Sequence, residues 1–159
     1  MSESAPEDLV FQMGRYKAKI PGGLAYTKDH LWVEPCDIAR VGITSYRQRF
    51  FVDIQNVEFM VGPGSEMLPN TLMVKIEGVK AVAEILFGLE GVVKELNGEL
   101  KTDPTLVNSA TYEQGWLLKA QGVRGALMSA REYQAFLEED WKQTFEKLVQ
   151  ERTKMLNIQ

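Results

Sequence analysis

Short apolar runs separated by turn residues fill the middle of the chain and predict a mainly β domain. Residues 37–43 alternate apolar and polar side chains, as a half-buried strand does. Glycine and proline cluster at residues 62–65 and indicate a turn. Many short strands with closely spaced turn signals favour a sandwich or a barrel. The predicted strands cover residues 31–33, 37–43, 53–59, 72–76, 81–87, 92–96 and 116–120.

The C-terminal segment changes to a helical period. Ser129 followed three positions later by Glu132 is a capping-box signature, which is typical of a helix start. Beyond it an apolar stripe recurs at every third or fourth residue and predicts an amphipathic helix of about 25 residues. We expect the stripe to pack on the β domain, and the length leaves room for a dimer or partner contact. The stripe consists of Tyr133, Phe136, Leu137, Trp141, Phe145, Leu148, Val149, Arg152 and Met155.

The N-terminal residues carry weaker signals. Residues 1–8 are small and acidic and are predicted to be disordered. Residues 9–23 mix apolar and basic side chains and end at a Pro-Gly-Gly turn signal. This pattern predicts an extended arm that lies on the domain and contains one short strand.

A short helix is predicted within residues 43–51. Its cap would be Thr44 or Ser45, and Gln48 would be the polar partner that completes a capping box. Together these patterns divide the chain into three parts. They are a partly disordered N-terminal arm at 1–25, a domain at 26–125, and a C-terminal helix at 126–159 that packs on the domain or on a partner.

Composition narrows the classes of function. The 159 residues are 45% hydrophobic and 25% charged, which is ordinary for a globular domain. A net charge of −4 provides no basic surface for phosphates, so nucleic acid is not an expected partner. No apolar run approaches the ~20 residues of a membrane span, and the acidic N-terminus lacks the basic start of a signal or transit peptide. Because Cys36 is the single cysteine, no internal disulfide forms and a cytoplasmic location is expected.

The residues do not predict an independent enzyme. His30 is the single histidine and Cys36 the single cysteine, so neither a Cys/His nucleophile pair nor a zinc-type ligand set can be assembled. No Ser/His/Asp arrangement is convincing either, and no glycine-rich phosphate loop is present. We therefore expect a structural or surface role for His30.

Lys80 stands in a short break between two predicted strands, at residues 72–76 and 81–87. A solvated lysine amine stays protonated and is a poor general base. It is nevertheless a good attachment point, because a modifying enzyme can reach a hairpin tip from several sides. From spacing alone, the simpler interpretation of Lys80 is an ordinary solvated turn lysine. Lys75 and Lys94 are most simply solvent-facing strand lysines.

Several motifs occur in a fixed order along the chain. Residues 26–33 are Tyr-Thr-Lys-Asp-His-Leu-Trp-Val, residues 77–81 are Glu-Gly-Val-Lys-Ala, and residues 103–108 are Asp-Pro-Thr-Leu-Val-Asn. Further motifs lie at residues 41–46, 91–97 and 112–117. In this order they resemble the glycine cleavage system H-protein family. The corresponding family patterns are Tyr-Thr-Lys-Glu-His-Glu-Trp-Val, Glu-Ser-Val-Lys-Ala and Asn-Pro-Glu-Leu-Val-Asn, and the second of these is the lipoyl-attachment site.

The resemblance implies a lipoyl-domain-like barrel-sandwich hybrid with short helices. It also implies that lipoate is covalently linked to Lys80, in a hairpin context of Glu77, Gly78, Val79 and Glu84. The two glutamates are either acidic contacts for a lipoylating enzyme or solvated hairpin residues. The chain would then be a non-catalytic carrier in glycine catabolism that shuttles an aminomethyl intermediate on a swinging lipoyl-lysine arm. The implied partners are a pyridoxal-phosphate-dependent glycine decarboxylase, an aminomethyltransferase, dihydrolipoyl dehydrogenase and a lipoate ligase or transferase.

Departures from the family pattern keep two alternatives open. Gly78 replaces the usual serine, and glycine permits a positive φ and a more mobile tip. Residues 50–54, Phe-Phe-Val-Asp-Ile, replace a Leu-Gly-Asp-Ile type of segment, and both termini extend beyond what the compact family needs. The alternatives are a lipoylated H-like paralogue that serves another pathway, such as sulfur oxidation, and an unmodified interaction protein on the same scaffold.

Overall fold

The computed structural model describes residues 7–157, and the side chains of residues 7–147. The predicted disorder of residues 1–8 falls mostly outside this range. The described part contains eleven strands and four helices. In chain order they are β1 (Leu9–Met13), β2 (Tyr16–Ile20), β3 (Ala25–Tyr26), β4 (Leu31–Val33), β5 (Ile38–Ile43), α1 (Ser45–Phe51), β6 (Ile54–Phe59), β7 (Glu66–Met67), β8 (Leu72–Gly78), β9 (Val82–Leu86), β10 (Glu90–Leu96), α2 (Glu99–Thr102), α3 (Leu106–Ser109), β11 (Leu118–Arg124) and α4 (Ala130–Asn157).

Two antiparallel sheets share the main apolar core. The larger has six strands in the order β3-β4-β5-β11-β10-β7, and the smaller has three in the order β6-β8-β9. Fully buried side chains come from both sheets, Val41 and Val93 from the larger and Val74 and Ile76 from the smaller. Burying apolar area on both inner faces is the main favourable contribution to folding. The prediction of a mainly β fold with short helices and a long C-terminal helix is confirmed.

The seven strands predicted in the middle of the chain are all present, with ends shifted by up to four residues. The strands β3 and β7 were not predicted, because two residues are too few to display an alternation. The four-residue helices α2 and α3 escaped prediction for the same reason, since one turn carries no readable helical period.

The N-terminal arm differs from the prediction of a single strand, because β1 and β2 form an antiparallel hairpin. Phe11 pairs with Ala18 and Met13 pairs with Tyr16. The two-residue turn between the strands has Gly14 at φ 64°, which glycine adopts without strain. The β2 sequence Tyr-Lys-Ala-Lys-Ile does alternate, but the mixture of apolar and basic side chains over residues 9–23 led to the prediction of an extended arm with only one strand.

A second apolar cluster joins this hairpin to α1 and α4. Phe11, Tyr46 and Leu137 are buried within it. The rings of Phe11 and Tyr46 meet edge to face with centroids 5.9 Å apart, a favourable aromatic geometry. Gln134 Nε2 in α4 also donates to the carbonyl of Val10 in β1 at 2.9 Å. The hairpin therefore covers the first turns of α4.

The short helix α1 begins at the predicted place with a different cap arrangement. Thr44 is the N-cap, and its Oγ1 accepts the N–H of Arg47 at 3.3 Å. The predicted capping-box role of Gln48 is wrong, because Gln48 lies one position beyond the third helical residue. Its side-chain amide donates to the carbonyl of Val52 at the other end of the helix.

The capping box of α4 is present as predicted. Ser129 Oγ accepts the N–H of Glu132 at 3.2 Å, and Glu132 Oε1 accepts the N–H of Ser129 at 3.0 Å. Phe145 is 56% exposed, so the domain covers the stripe only in the early turns of the helix. The predicted stripe residues Leu148, Val149, Arg152 and Met155 lie outside the described side chains. Neither α4 nor any other helix in residues 7–157 combines the length and apolar character needed to cross a bilayer.

Polar contacts lock α4 to the domain beside the second cluster. The hydroxyl of Tyr133 lies 2.9 Å from His30 Nδ1 and 2.8 Å from Thr44 Oγ1. Asp140 Oδ2 lies 3.4 Å from His30 Nε2 and accepts the hydroxyl of Tyr46 at 2.7 Å. The hydrogen bond from His30, followed by that from Tyr46, lowers the pKa of Asp140 against the opposing effect of burial. His30 is thus a structural residue that links the β4 side of the domain to α4.

We expect Asp140→Asn to weaken this attachment in a pH-dependent way. Asparagine keeps an acceptor for Tyr46 but removes the charge that faces His30. Because the folded-state pKa of Asp140 is lowered from an unfolded value of about 3.9, its contribution is present above about pH 4 and is lost as the pH falls further. The variant should be about 1 kcal/mol less stable near neutral pH.

Urea unfolding of both proteins across a pH series measures this difference in the free energy of unfolding. The two curves should converge in acid. A difference that stays constant across the series would show that the carboxylate charge contributes nothing.

Candidate functional site

The hairpin formed by β8 and β9 ends in a four-residue turn that presents Lys80. We define residues 78–81 as the lysine tip. The N–H of Gly78 donates to the carbonyl of Ala81 at 2.8 Å and closes the turn. Lys80 is exposed, and Val79 beside it is 51% exposed. Among the described residues no carboxylate lies within ion-pairing distance of the Lys80 amine, so the amine is accessible to a modifying enzyme.

The backbone of the lysine tip is attached to the turn that follows α1. The N–H of Val79 donates to the carbonyl of Asp53 at 3.0 Å, and the N–H of Lys80 donates to the carbonyl of Phe51 at 3.2 Å. A hairpin turn that projects freely would leave both donors to water. Here they are bonded within the protein, so the side chain of Lys80 extends from a backbone that is fixed on two sides.

Gly78 is required by close packing and not by its backbone angles. Its φ lies outside the positive region, so the expected reason for glycine, a positive φ with a more mobile tip, is not met. A Cβ at this position would lie 2.6 Å from both the Cβ and the carbonyl oxygen of Phe51, and 3.1 Å from the carbonyl oxygen of Asp53. The α1 turn therefore approaches the tip so closely that no side chain fits.

The outer face of the three-stranded sheet carries both predicted glutamates. Glu77 pairs across the strands with Val82, and Lys75 pairs with Glu84, so all four share one face. Lys75 Nζ lies 3.5 Å from Glu77 Oε1, which partly neutralises that carboxylate. Val82 is 62% exposed. A partner that docks on this face would meet an apolar side chain between two acidic groups.

A polar cleft of about 350 Å³ lies beside the hairpin. Glu84 lines it together with Lys28, Asp29 and Arg47. Burial lowers the pKa of Arg47, with the opposing attraction of Asp140 as the second cause. Cationic and anionic groups are mixed in this cleft, so it presents no single strong charge to a ligand.

The described residues offer an exposed lysine as an attachment point. They include no group of three or more His, Cys, Asp or Glu side chains placed to hold a metal ion. His30 is occupied by Tyr133 and Asp140. The chemistry open to this site is amide formation at an exposed lysine, performed by another enzyme.

The sequence did not reveal the residues that support the lysine tip. Phe51 and Asp53 accept its hydrogen bonds, and Asn108 reaches the same turn from α3, 56 positions further along the chain than Val52. One signal was present. Residues 51–54 contain Val52 where the related pattern has glycine, which indicates an unusual backbone at that position.

Comparison with known proteins gives one family. A family model described as glycine cleavage H-protein matches residues 24–140. The glycine cleavage system H protein of Halothermothrix orenii is 38% identical over 125 residues, which cover 76% of this chain and 97% of that protein. The mitochondrial glycine cleavage system H protein of Drosophila melanogaster is 39% identical over 118 residues, which cover 70% of this chain and 71% of that one.

A solved structure has a similar fold. The crystal structure of a glycine cleavage system H protein from Mycobacterium marinum gives a TM-score of 0.69 at 28% identity. The match covers 75% of this chain and 99% of that one. The family match begins after the β1–β2 hairpin and ends within α4, so these two elements extend beyond the matched region.

Adding a single methyl group at Gly78 should destabilise the protein. In Gly78→Ala the new Cβ would overlap Phe51, whose backbone oxygen cannot move without shifting the α1 turn. We expect a loss of about 1–3 kcal/mol in the free energy of unfolding, as for other overpacked sites. Thermal and urea unfolding of the purified variant measure this loss.

Gly98→Ala is the matched control. A Cβ at Gly98 meets nothing within 4 Å, and its φ of −63° suits alanine. This variant should be neutral or slightly stabilised, because alanine reduces the entropy of the unfolded chain. Equal effects at the two glycines would refute the close-packing explanation for Gly78.

Proposed function

Because the chain belongs to the glycine cleavage H-protein family, whose members carry lipoate covalently on a lysine, we propose that Lys80 is the lysine that carries it here. The family assignment, the lipoyl-carrier function in glycine cleavage and the covalent lipoate cofactor agree with the expectations drawn from the sequence. H-proteins are carrier subunits without catalytic activity of their own, and this chain is accordingly a carrier and not an enzyme.

One observation supports Lys80 most directly. It is the exposed lysine of a hairpin tip whose backbone is bonded to the α1 turn, and residues 77–81 follow the attachment pattern at four of five positions. An exposed amine on a fixed backbone suits covalent attachment, because the enzyme that forms the amide receives the lysine in one orientation. The free side chain then serves as the base of a long flexible arm.

The protein contributes position and docking surface to the reaction. When bound, the lipoyl group supplies the dithiolane that accepts and releases the one-carbon unit and undergoes reduction and oxidation. Attachment to Lys80 keeps the cofactor at a high local concentration wherever the domain docks. Glu77, Val79 and Glu84 surround the attachment point and are candidates for contact with the enzymes that use it.

We further propose the set of partners. They are a pyridoxal-phosphate-dependent glycine decarboxylase, an aminomethyltransferase, dihydrolipoyl dehydrogenase and a lipoate ligase or transferase. The family works within the glycine cleavage system together with other components, which supports this set. A cytoplasmic location stays a prediction that rests on the single cysteine. The division into an arm at 1–25, a domain at 26–125 and a helix at 126–159 also stays a prediction.

Enzymatic lipoylation tests the assignment of Lys80. Incubation with lipoate, ATP and a lipoate–protein ligase should add one lipoyl group, and peptide mass spectrometry should locate it on Lys80. Lys80→Arg should take up none while keeping its melting temperature, because an exposed tip residue contributes little to packing.

Lys94→Arg is the control, since Lys94 is also an exposed lysine and lies in β10. This variant should be modified like the original chain. An adduct on any other lysine, or one that persists in Lys80→Arg, would exclude the proposed site. Lipoylated protein should also support glycine–bicarbonate exchange by a glycine decarboxylase, and a lipoylated chain that gives no exchange would favour a carrier for another pathway.

A further inference from the structure

The turn that follows α1 holds Val52 in a backbone conformation that valine rarely adopts. Val52 has φ 64° and ψ −102°, and its N–H donates to the carbonyl of Arg49 at 3.2 Å. A positive φ is unfavourable for a β-branched residue, whereas glycine enters that region freely. Such a conformation persists only where the surrounding groups hold it.

Two side-chain amides hold this turn, and we refer to Gln48 and Asn108 as the amide clamp. Gln48 Nε2 from α1 and Asn108 Nδ2 from α3 both donate to the carbonyl of Val52. Asn108 Oδ1 also accepts the N–H of Ile54 at 2.9 Å, which fixes the orientation of its amide group. The turn is therefore fastened to two separate helices.

The carbonyls on either side of Val52 serve the lysine tip. Phe51 accepts the N–H of Lys80, and Asp53 accepts the N–H of Val79. Three consecutive carbonyls thus accept hydrogen bonds from two different places. The carbonyl of Val52 accepts from the amide clamp, and those of Phe51 and Asp53 accept from the lysine tip. Because they belong to successive peptide units, a change in the backbone angles of Val52 would alter the orientation of these carbonyls relative to one another.

We propose that Gln48 and Asn108 are positioning residues for lipoylation, which fix the backbone of Lys80 through the strained turn at Val52. This inference rests on the proposed attachment of lipoate to Lys80. The clamp acts through the turn, since its hydrogen bonds go to Val52 and Ile54 and not to the tip. Releasing it should let the tip sample orientations in which the lysine amine is misplaced for transfer.

Asn108→Ala tests the clamp by removing one donor to Val52 and the acceptor for Ile54. We expect faster amide hydrogen exchange at Val79 and Lys80 than in the original chain. We also expect kcat/KM for lipoylation by a lipoate–protein ligase to fall about tenfold. The exchange measurement uses the unmodified protein, so it reports on the tip whether or not Lys80 is the attachment residue.

Asn97→Ala is the matched control for a loss of overall stability. Asn97 is a buried amide whose Nδ2 donates to the carbonyls of Gln114 and Trp116 at 2.8 and 2.7 Å. Its removal should lower the melting temperature to a similar degree while leaving lipoylation and tip exchange unchanged. Equal slowing of lipoylation in both variants would overturn the proposal, because general destabilisation would then explain it.

A second substitution distinguishes a loss of tip positioning from other causes of slower lipoylation. Val52→Gly in the Asn108→Ala background should return the lipoylation rate to within about twofold of the original, since glycine adopts the turn without the clamp.

If Asn108→Ala does not fold, Gln48→Met removes the other donor and takes its place. A folded clamp variant with unchanged exchange and unchanged kcat/KM would overturn the inference. Absence of lipoate on Lys80 in the original chain would instead refute the proposed site, and the exchange data would still test the clamp.

Discussion

The inward packing of alternate residues along β8 determines where Lys80 lies. Val74 and Ile76 are fully buried between the sheets, which forces Lys75 and Glu77 to the outer face. A slip of one residue in the pairing of β8 with β9 would bring the charged set into the core, so the register is strongly specified. The burial of Val74 and Ile76 thus fixes the register of the hairpin, and the register places Lys80 in its turn.

Two departures from the family pattern lie on either side of the contact between the α1 turn and the lysine tip. Phe51 and Asp53 approach Gly78 so closely that a serine Cβ, as found in the family pattern, would overlap the α1 turn. The same turn carries Val52 where that pattern has glycine. The two departures from the family pattern therefore lie in neighbouring segments, with glycine at the tip and valine in the turn. Read singly along the sequence, each departure appears unrelated to the other.

Period-two alternation and short turn motifs were enough to predict seven strands, the capping box of α4 and the exposed position of Lys80. These local patterns could not predict contacts between segments that are distant in the sequence. The bonds from Asn108 to Val52 and Ile54 join residues more than fifty positions apart, and no local pattern encodes them. The β1–β2 hairpin was missed because its lysines, which face solvent in alternation with buried Ala18 and Ile20, hid a strand pattern. The resemblance to the family supplied the function, because spacing alone could not distinguish Lys80 from an ordinary turn lysine.

The β1–β2 hairpin precedes the family match and covers the apolar face at the start of α4, which lies within that match. Phe11 and Met13 of the hairpin share one buried cluster with Tyr133 and Leu137 of the helix. Losing either element would expose the face that the other now buries, with a risk of aggregation. In evolutionary terms the hairpin and the apolar start of α4 are coupled characters. A lineage that sheds the N-terminal hairpin would be under selection to replace the apolar residues at the start of α4 with polar ones.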